Sequence, residues 1–132
     1  MVMSDRAVKS IHAMPKWARK LRRRYPWFPD QPRCYGGWAK IIGALCAGIQ
    51  RTLDDDENYR KKFSAYCCKE KCGRLRFYVT PPHPDIEQLI DKADTRSATV
   101  CERCGKPGML RKKGYMLYTA CDVCAVVEEN RS

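Results

Sequence analysis

Three features of the 132-residue sequence predict an α+β fold in which helices pack on a β-hairpin and a small cysteine-built lobe follows. From Trp38 to Leu53, apolar residues recur at three- and four-residue steps through Ile41, Ile42, Leu45, Cys46 and Ile49, which draws one stripe along a helix. Two runs of strand-forming residues, 63–68 and 75–79, flank Gly73 in the pattern of a hairpin. Near the C-terminus two Cys-x-x-Cys pairs, Cys101 with Cys104 and Cys121 with Cys124, stand sixteen residues apart.

Taken in order, residues 14–24 predict a short helix with Pro15 in its first turn and Trp17 and Leu21 four apart on one face. The run Tyr25-Pro26-Trp27-Phe28-Pro29 ends it, and it should be extended and packed on the body, because free Trp27 and Phe28 would expose a large apolar patch. The long helix closes in Asp54-Asp55-Asp56-Glu57. Acids oppose the macrodipole at a helix C-terminus, so they are expected to begin a loop or a further short helical turn. After the hairpin, Pro84 and Asp85 open another helix with Ile86, Leu89, Ile90 and Ala93 on its buried stripe. The expected organisation is a basic arm with its Pro-aromatic segment (1–33), an α+β core (34–100), the cysteine lobe (101–124) and a tail (125–132).

Two residues between cysteines let both thiolates turn back onto one ion at about 2.3 Å, and two such pairs make the tetrahedral set of a zinc ribbon. Gly105 permits the tight turn after the second sulfur, and residues 109–119 suit a short hairpin returning the second pair to the first. Cys101, Cys104, Cys121 and Cys124 are therefore the expected ligands of one Zn²⁺. Four thiolates leave no position for water, so the ion would be structural rather than hydrolytic. Disulfides are the alternative, disfavoured because the first residues carry no signal-peptide pattern and predict a protein of the reducing cytoplasm. Cys67, Cys68 and Cys72, completed by Cys34 or His83, are a weaker candidate for a second ion. Cys46 reads as a small core hydrophobe.

Charge is grouped. The chain carries 26 Lys and Arg against 15 Asp and Glu. Residues 1–33 hold nine cations and two acids, and residues 60–76 hold seven cations and one acid. On the predicted hairpin, side chains alternate between faces, so Leu75 and Phe77 turn inward while Arg74, Arg76 and Tyr78 turn out beside Lys69 and Lys71. Cations interleaved with an aromatic ring suit a phosphate backbone and a stacked base. They also suit an acidic protein surface or ordinary cross-strand pairing.

The succession Gly37-Trp38, Lys69-Glu70-Lys71-Cys72-Gly73-Arg74-Leu75-Arg76-Phe77-Tyr78, Cys101-Glu102-Arg103-Cys104-Gly105 and Cys121-x-x-Cys124 resembles a family of small phage- and prophage-encoded proteins, over about residues 25–124. Their central motif reads Lys-Glu-Lys-Phe-Gly-Gly-Leu-Arg-Phe-Tyr. Cys72 stands here for the aromatic residue and Arg74 for the second glycine. The resemblance implies origin and fold more than activity, and it places the protein in a host bacterial cell.

The leading functional expectation is a nucleic-acid-binding module whose contacts are Arg19, Lys20, Arg22, Arg23 and Arg24 of the arm, the hairpin residues Lys69, Lys71, Arg74, Arg76 and Tyr78, and Lys112 and Lys113 of the lobe. The alternative is a factor that inhibits or redirects a host protein complex by direct binding. No catalysis is expected: the sequence has two histidines and no paired-carboxylate, deaminase or phosphate-loop motif. Its longest uncharged run, residues 41–50, is about half of the roughly 20 apolar residues a membrane helix needs, so no membrane partner is expected.

Overall fold

The computed structural model describes residues 14–131. Five helices and two antiparallel hairpins follow in the order α1 (Lys16–Arg24), a 3₁₀ turn (Gly36–Trp38), α2 (Ala39–Asp55), α3 (Glu57–Lys62), β1 (Ser64–Lys71), β2 (Arg74–Thr80), α4 (Pro84–Ser97), β3 (Met109–Lys113), β4 (Met116–Ala120) and α5 (Asp122–Glu129). No helix among the described residues is long and apolar enough to cross a membrane.

Helix α2 is the axis of the core. Its stripe of Ile41, Ile42, Leu45, Cys46, Ile49 and Leu53 is buried together with Trp38 just before it. Burial in this apolar setting pushes the Cys46 thiol up to about 12, so it stays protonated and packs as a hydrophobe. The acidic end divides two helices: α2 stops at Asp55, and the Asp56 carboxylate accepts from the Tyr59 amide as the cap of α3. The Pro-aromatic segment packs on the body as expected, but it turns instead of running extended, because the Phe28 N–H donates back to the Tyr25 carbonyl at 2.8 Å. Phe28 is buried 6.3 Å from the Phe77 ring, and Trp27 Nε1 donates to Gln50 Oε1 at 2.7 Å.

In the first hairpin Ala65, Cys68, Leu75, Phe77 and Val79 face the core. Cys72 and Gly73 make the two-residue turn, both with positive φ (55° and 80°), as the primed hairpin turns require. Cys72 is exposed there, so it neither fills a packing site nor points a sulfur inward. Helix α4 runs along β2: Leu75 N–H donates to Ser97 Oγ at 2.9 Å, and Ser97 donates in turn to the Asp94 carbonyl. His83 caps α4 by accepting from the Asp85 amide.

The C-terminal lobe holds a much smaller buried set, Cys101, Tyr118, Ala120 and Ala125. Within the segment expected as a tail, residues 125–129 belong to α5. That helix hides Ala125 and Glu128, and Lys113 Nζ donates to the carbonyls of Glu128 and Arg131 at its C-terminal end. Val123, Val126 and Val127 recur at helical spacing but face solvent, and the buried side shows only Ala125 and Glu128, so this eight-residue helix has no core stripe to announce it.

Candidate metal centre

Each cysteine pair is positioned by its own backbone device. The first is a tight turn in which Cys101 N–H donates to Lys106 O at 2.7 Å and Gly105 N–H to Cys101 O at 2.9 Å, with Gly105 at a φ of 84°. The second is a helix N-terminus. Cys121 is the N-cap of α5, and its sulfur accepts from the Cys124 amide at 3.4 Å. The β3–β4 hairpin carries this helix start back to the turn.

All four sulfurs fall within 4.8 Å of one another. Those of Cys104 and Cys121 are 3.6 Å apart. A tetrahedral ion with bonds of about 2.3 Å sets its sulfurs about 3.8 Å apart, whereas a disulfide needs about 2.05 Å. The spacing thus suits one shared ion, and all nine cysteines are free thiols. Cys101 is buried, Cys121 and Cys124 are half-buried and Cys104 is exposed, which puts the cluster at the surface of its lobe.

The thiols differ in acidity. Burial pushes Cys101 up, but hydrogen bonds from the Cys121, Cys104 and Arg103 amides outweigh it and bring the thiol to about 6. The Cys124 amide lowers Cys121. Cys124 is raised to about 12, first by desolvation and then by the protons it shares with the other three sulfurs. Amide donors aimed at three of the four sulfurs, those of Cys101, Cys104 and Cys121, favour the anionic ligands that a dication requires. An ion held by all four has no free position for a reacting water.

The lobe is docked on the core through the first pair. Gly37 N–H donates to Glu102 O at 2.6 Å, and Trp38 Nε1 to Val100 O at 2.9 Å. A Cβ at Gly37 would lie 2.2 Å from the Cys101 carbonyl oxygen and 2.3 Å from that of Glu102, so only glycine admits this approach. The buried Glu102 carboxylate accepts from the Tyr35 amide at 3.0 Å. Arg103 lies over the Tyr35 ring at 4.6 Å and pairs with Glu128 of α5. On the far side, the buried Thr119 hydroxyl donates to the Gly73 carbonyl at 2.6 Å, tying β4 to the turn of the first hairpin. Sequence reading missed these clasps, since an isolated Glu102 or Thr119 carries no pattern.

Among the described residues, the C-terminal quartet is the metal-ligand group of three or more donors. Cys34, Cys67, Cys68, Cys72 and His83 form no comparable set: His83 is occupied in capping α4, and Cys72 sits at the exposed turn.

The expected phosphate contacts separate into free and engaged groups. On α1, Lys20, Arg23 and Arg24 are exposed, while Arg19 is half-buried and Arg22 donates to the Phe28 carbonyl, fixing the Pro-aromatic segment. Lys69, Lys71, Arg74, Arg76 and Tyr78 occupy the side of the hairpin away from the core. There Arg74 Nε and Arg76 Nη1 grip the two oxygens of Asp94 at 2.7 and 2.8 Å. Lys112 is exposed on β3, whereas Lys113 is spent on the end of α5. Tyr66 joins the outer face and was not foreseen. Compared with protein-family models, curated proteins and solved structures, the chain matches none.

Proposed function

We propose that this is a zinc-binding protein of phage type that binds nucleic acid through a basic surface and performs no chemistry itself. The observation that carries the reading is the outer face of the first hairpin. Lys69, Lys71, Arg74 and Arg76 share that face, and Asp94 is the carboxylate drawn against two of them. The four-sulfur cluster supports zinc as the ion, since thiolates at tetrahedral spacing favour it over harder cations.

Native mass spectrometry tests the first half, with one zinc per chain expected. Titration of labelled DNA and RNA tests the second: log K should fall linearly with log salt at about 0.7 to 0.9 per phosphate neutralised. Absence of binding at low salt would refute it. The second reading, a host protein as partner, is favoured by the apolar row Val123, Val126 and Val127 on α5. Capture of a defined complex from nuclease-treated host extract, lost on Val126→Asp, is its expected sign.

A further inference from the structure

On the outer face of the first hairpin two tyrosine rings stand together in solvent. Pairing runs regularly from Lys71 with Arg74 to Cys67 with Tyr78, and then the register slips, so that Tyr66 is an extra residue before Ala65 meets Val79. A bulge of this kind re-aims a side chain. Ala65 and Cys68 both stay buried, three positions apart instead of two, and Tyr66 and Cys67 are left on the outside. Tyr66 is 62% exposed and lies against Tyr78, itself 37% exposed, with ring centroids 6.0 Å apart and planes 23° from parallel.

The strand residues beside the pair on this face are cations, two of which, Arg74 and Arg76, share Asp94 of α4. Lys69 Nζ is 5.8 Å from the Tyr78 ring centroid. Behind the tyrosines come the row Lys69 with Arg76 and then the row Lys71 with Arg74. Rows on one face of a strand repeat about every 7 Å, so the tyrosines and the two cationic rows span about 14 Å, the length of about four stacked nucleotides at 3.4 Å each. A duplex keeps its base faces stacked inside and offers such rings nothing to stack on, whereas single strands present them.

We propose that the Tyr66–Tyr78 pair is a stacking platform for the bases of single-stranded nucleic acid, with Lys69, Lys71, Arg74 and Arg76 tracking the phosphates. The inference rests on the nucleic-acid reading above and adds its substrate class. A base laid on the open face of Tyr66 extends the existing two-ring stack, and the strand runs from there along the cationic rows.

The test is fluorescence anisotropy of the intact protein with a labelled twelve-nucleotide oligo-dT and with a blunt duplex of equal length, across a salt series. Single strand should bind at least about tenfold more tightly. Tyr66→Ala should weaken it by about five- to 150-fold, the equivalent of stacking one base, without changing the salt slope. Tyr66→Phe should bind as the wild type does, and Lys69→Ala should lower the slope by about 0.7. Circular dichroism of each variant establishes that the exposed substitutions leave the fold intact. Equal binding of both oligonucleotides with no effect of Tyr66→Ala would overturn the platform and leave the basic surface standing. No binding of either oligonucleotide would overturn both and give the face to a protein partner.

Discussion

The two regions of this molecule keep their shape by different means. Among the described residues, the core built on α2 buries eighteen apolar side chains, six of them on α2 itself, whereas the C-terminal lobe buries four, one of them the sulfur-bearing Cys101. Burial at about 25 cal/mol per Å² can hold the first region, and the second has too little apolar surface for that route. An ion on the four sulfurs would supply for the lobe what packing supplies for the core. The seam between them is built of close backbone approach and polar clasps, so the two modes of stabilisation meet without merging.

The largest effect that this contrast predicts is the response to metal removal. Structural zinc contributes on the order of 10–16 kcal/mol to folding a site of this kind. Strong chelation, or Cys101→Ser, should expose the amides of β3, β4 and α5 to hydrogen exchange while those of α2 stay protected. Acid should act in the same direction, because protons compete with the ion for the sulfurs. Cys67→Ser and Cys72→Ser should leave the metal content unchanged. Loss of protection throughout the chain on chelation would show that the core depends on the lobe, and the contrast would break.

Next in size is Trp38→Ala. The ring is fully buried and its Nε1 holds Val100, so removal should cost about 3–5 kcal/mol in global stability, read as a lower denaturation midpoint. Metal content should remain at one ion per chain. A variant that lost its metal along with its core would place the two regions in a single cooperative unit.

How much of this was legible in the sequence follows the same division. The stripe of α2 and the alternation of β2 are periodic, and burial makes periodicity visible. The four cysteines were readable because ligand spacing is a chemical constraint. The seam was not. Tyr35, Gly37, Glu102 and Thr119 meet through single hydrogen bonds to partners as many as 67 residues away, and such contacts leave no local mark. Tyr66 was hidden for a different reason: strict alternation cannot foresee a bulge, and one extra residue changes which side chains share a face. Helix α5 was missed because it is only eight residues long and its apolar row of Val123, Val126 and Val127 faces solvent, while the side it buries carries Ala125 and Glu128.

Gly37→Ala addresses the seam directly. The new methyl would collide with two carbonyl groups of the first cysteine turn, at 2.2 and 2.3 Å, and rigid backbone cannot yield as a side-chain tip can. A cost of about 1–3 kcal/mol is expected, as for other overpacked sites. It should appear as faster exchange at the Gly37 amide and easier proteolysis between residues 98 and 101, with zinc still bound. Intact docking in this variant would mean that the polar clasps at Glu102 and Arg103, rather than backbone approach, define the junction.

The smallest expected effect on stability concerns charge display, which the contrast assigns to the core's hairpin and to neither metal nor seam. Asp94 holds Arg74 and Arg76 at once, with the guanidinium side chains 42% and 34% exposed. Partly exposed pairs of this kind are worth about 0.2–1 kcal/mol each, so Asp94→Ala should lower stability only slightly. On the proposed nucleic-acid reading, it also removes the acid that would compete with phosphate for both arginines. Nucleic-acid affinity should therefore rise at low salt, and the dependence of log K on log salt should steepen by about 0.7 to 0.9 for each arginine that gains a phosphate. The sign is what makes the measurement useful: a residue that merely braced the fold would weaken binding when removed. A fall in affinity with an unchanged slope would show that Asp94 orders the arginines for their partner instead of restraining them.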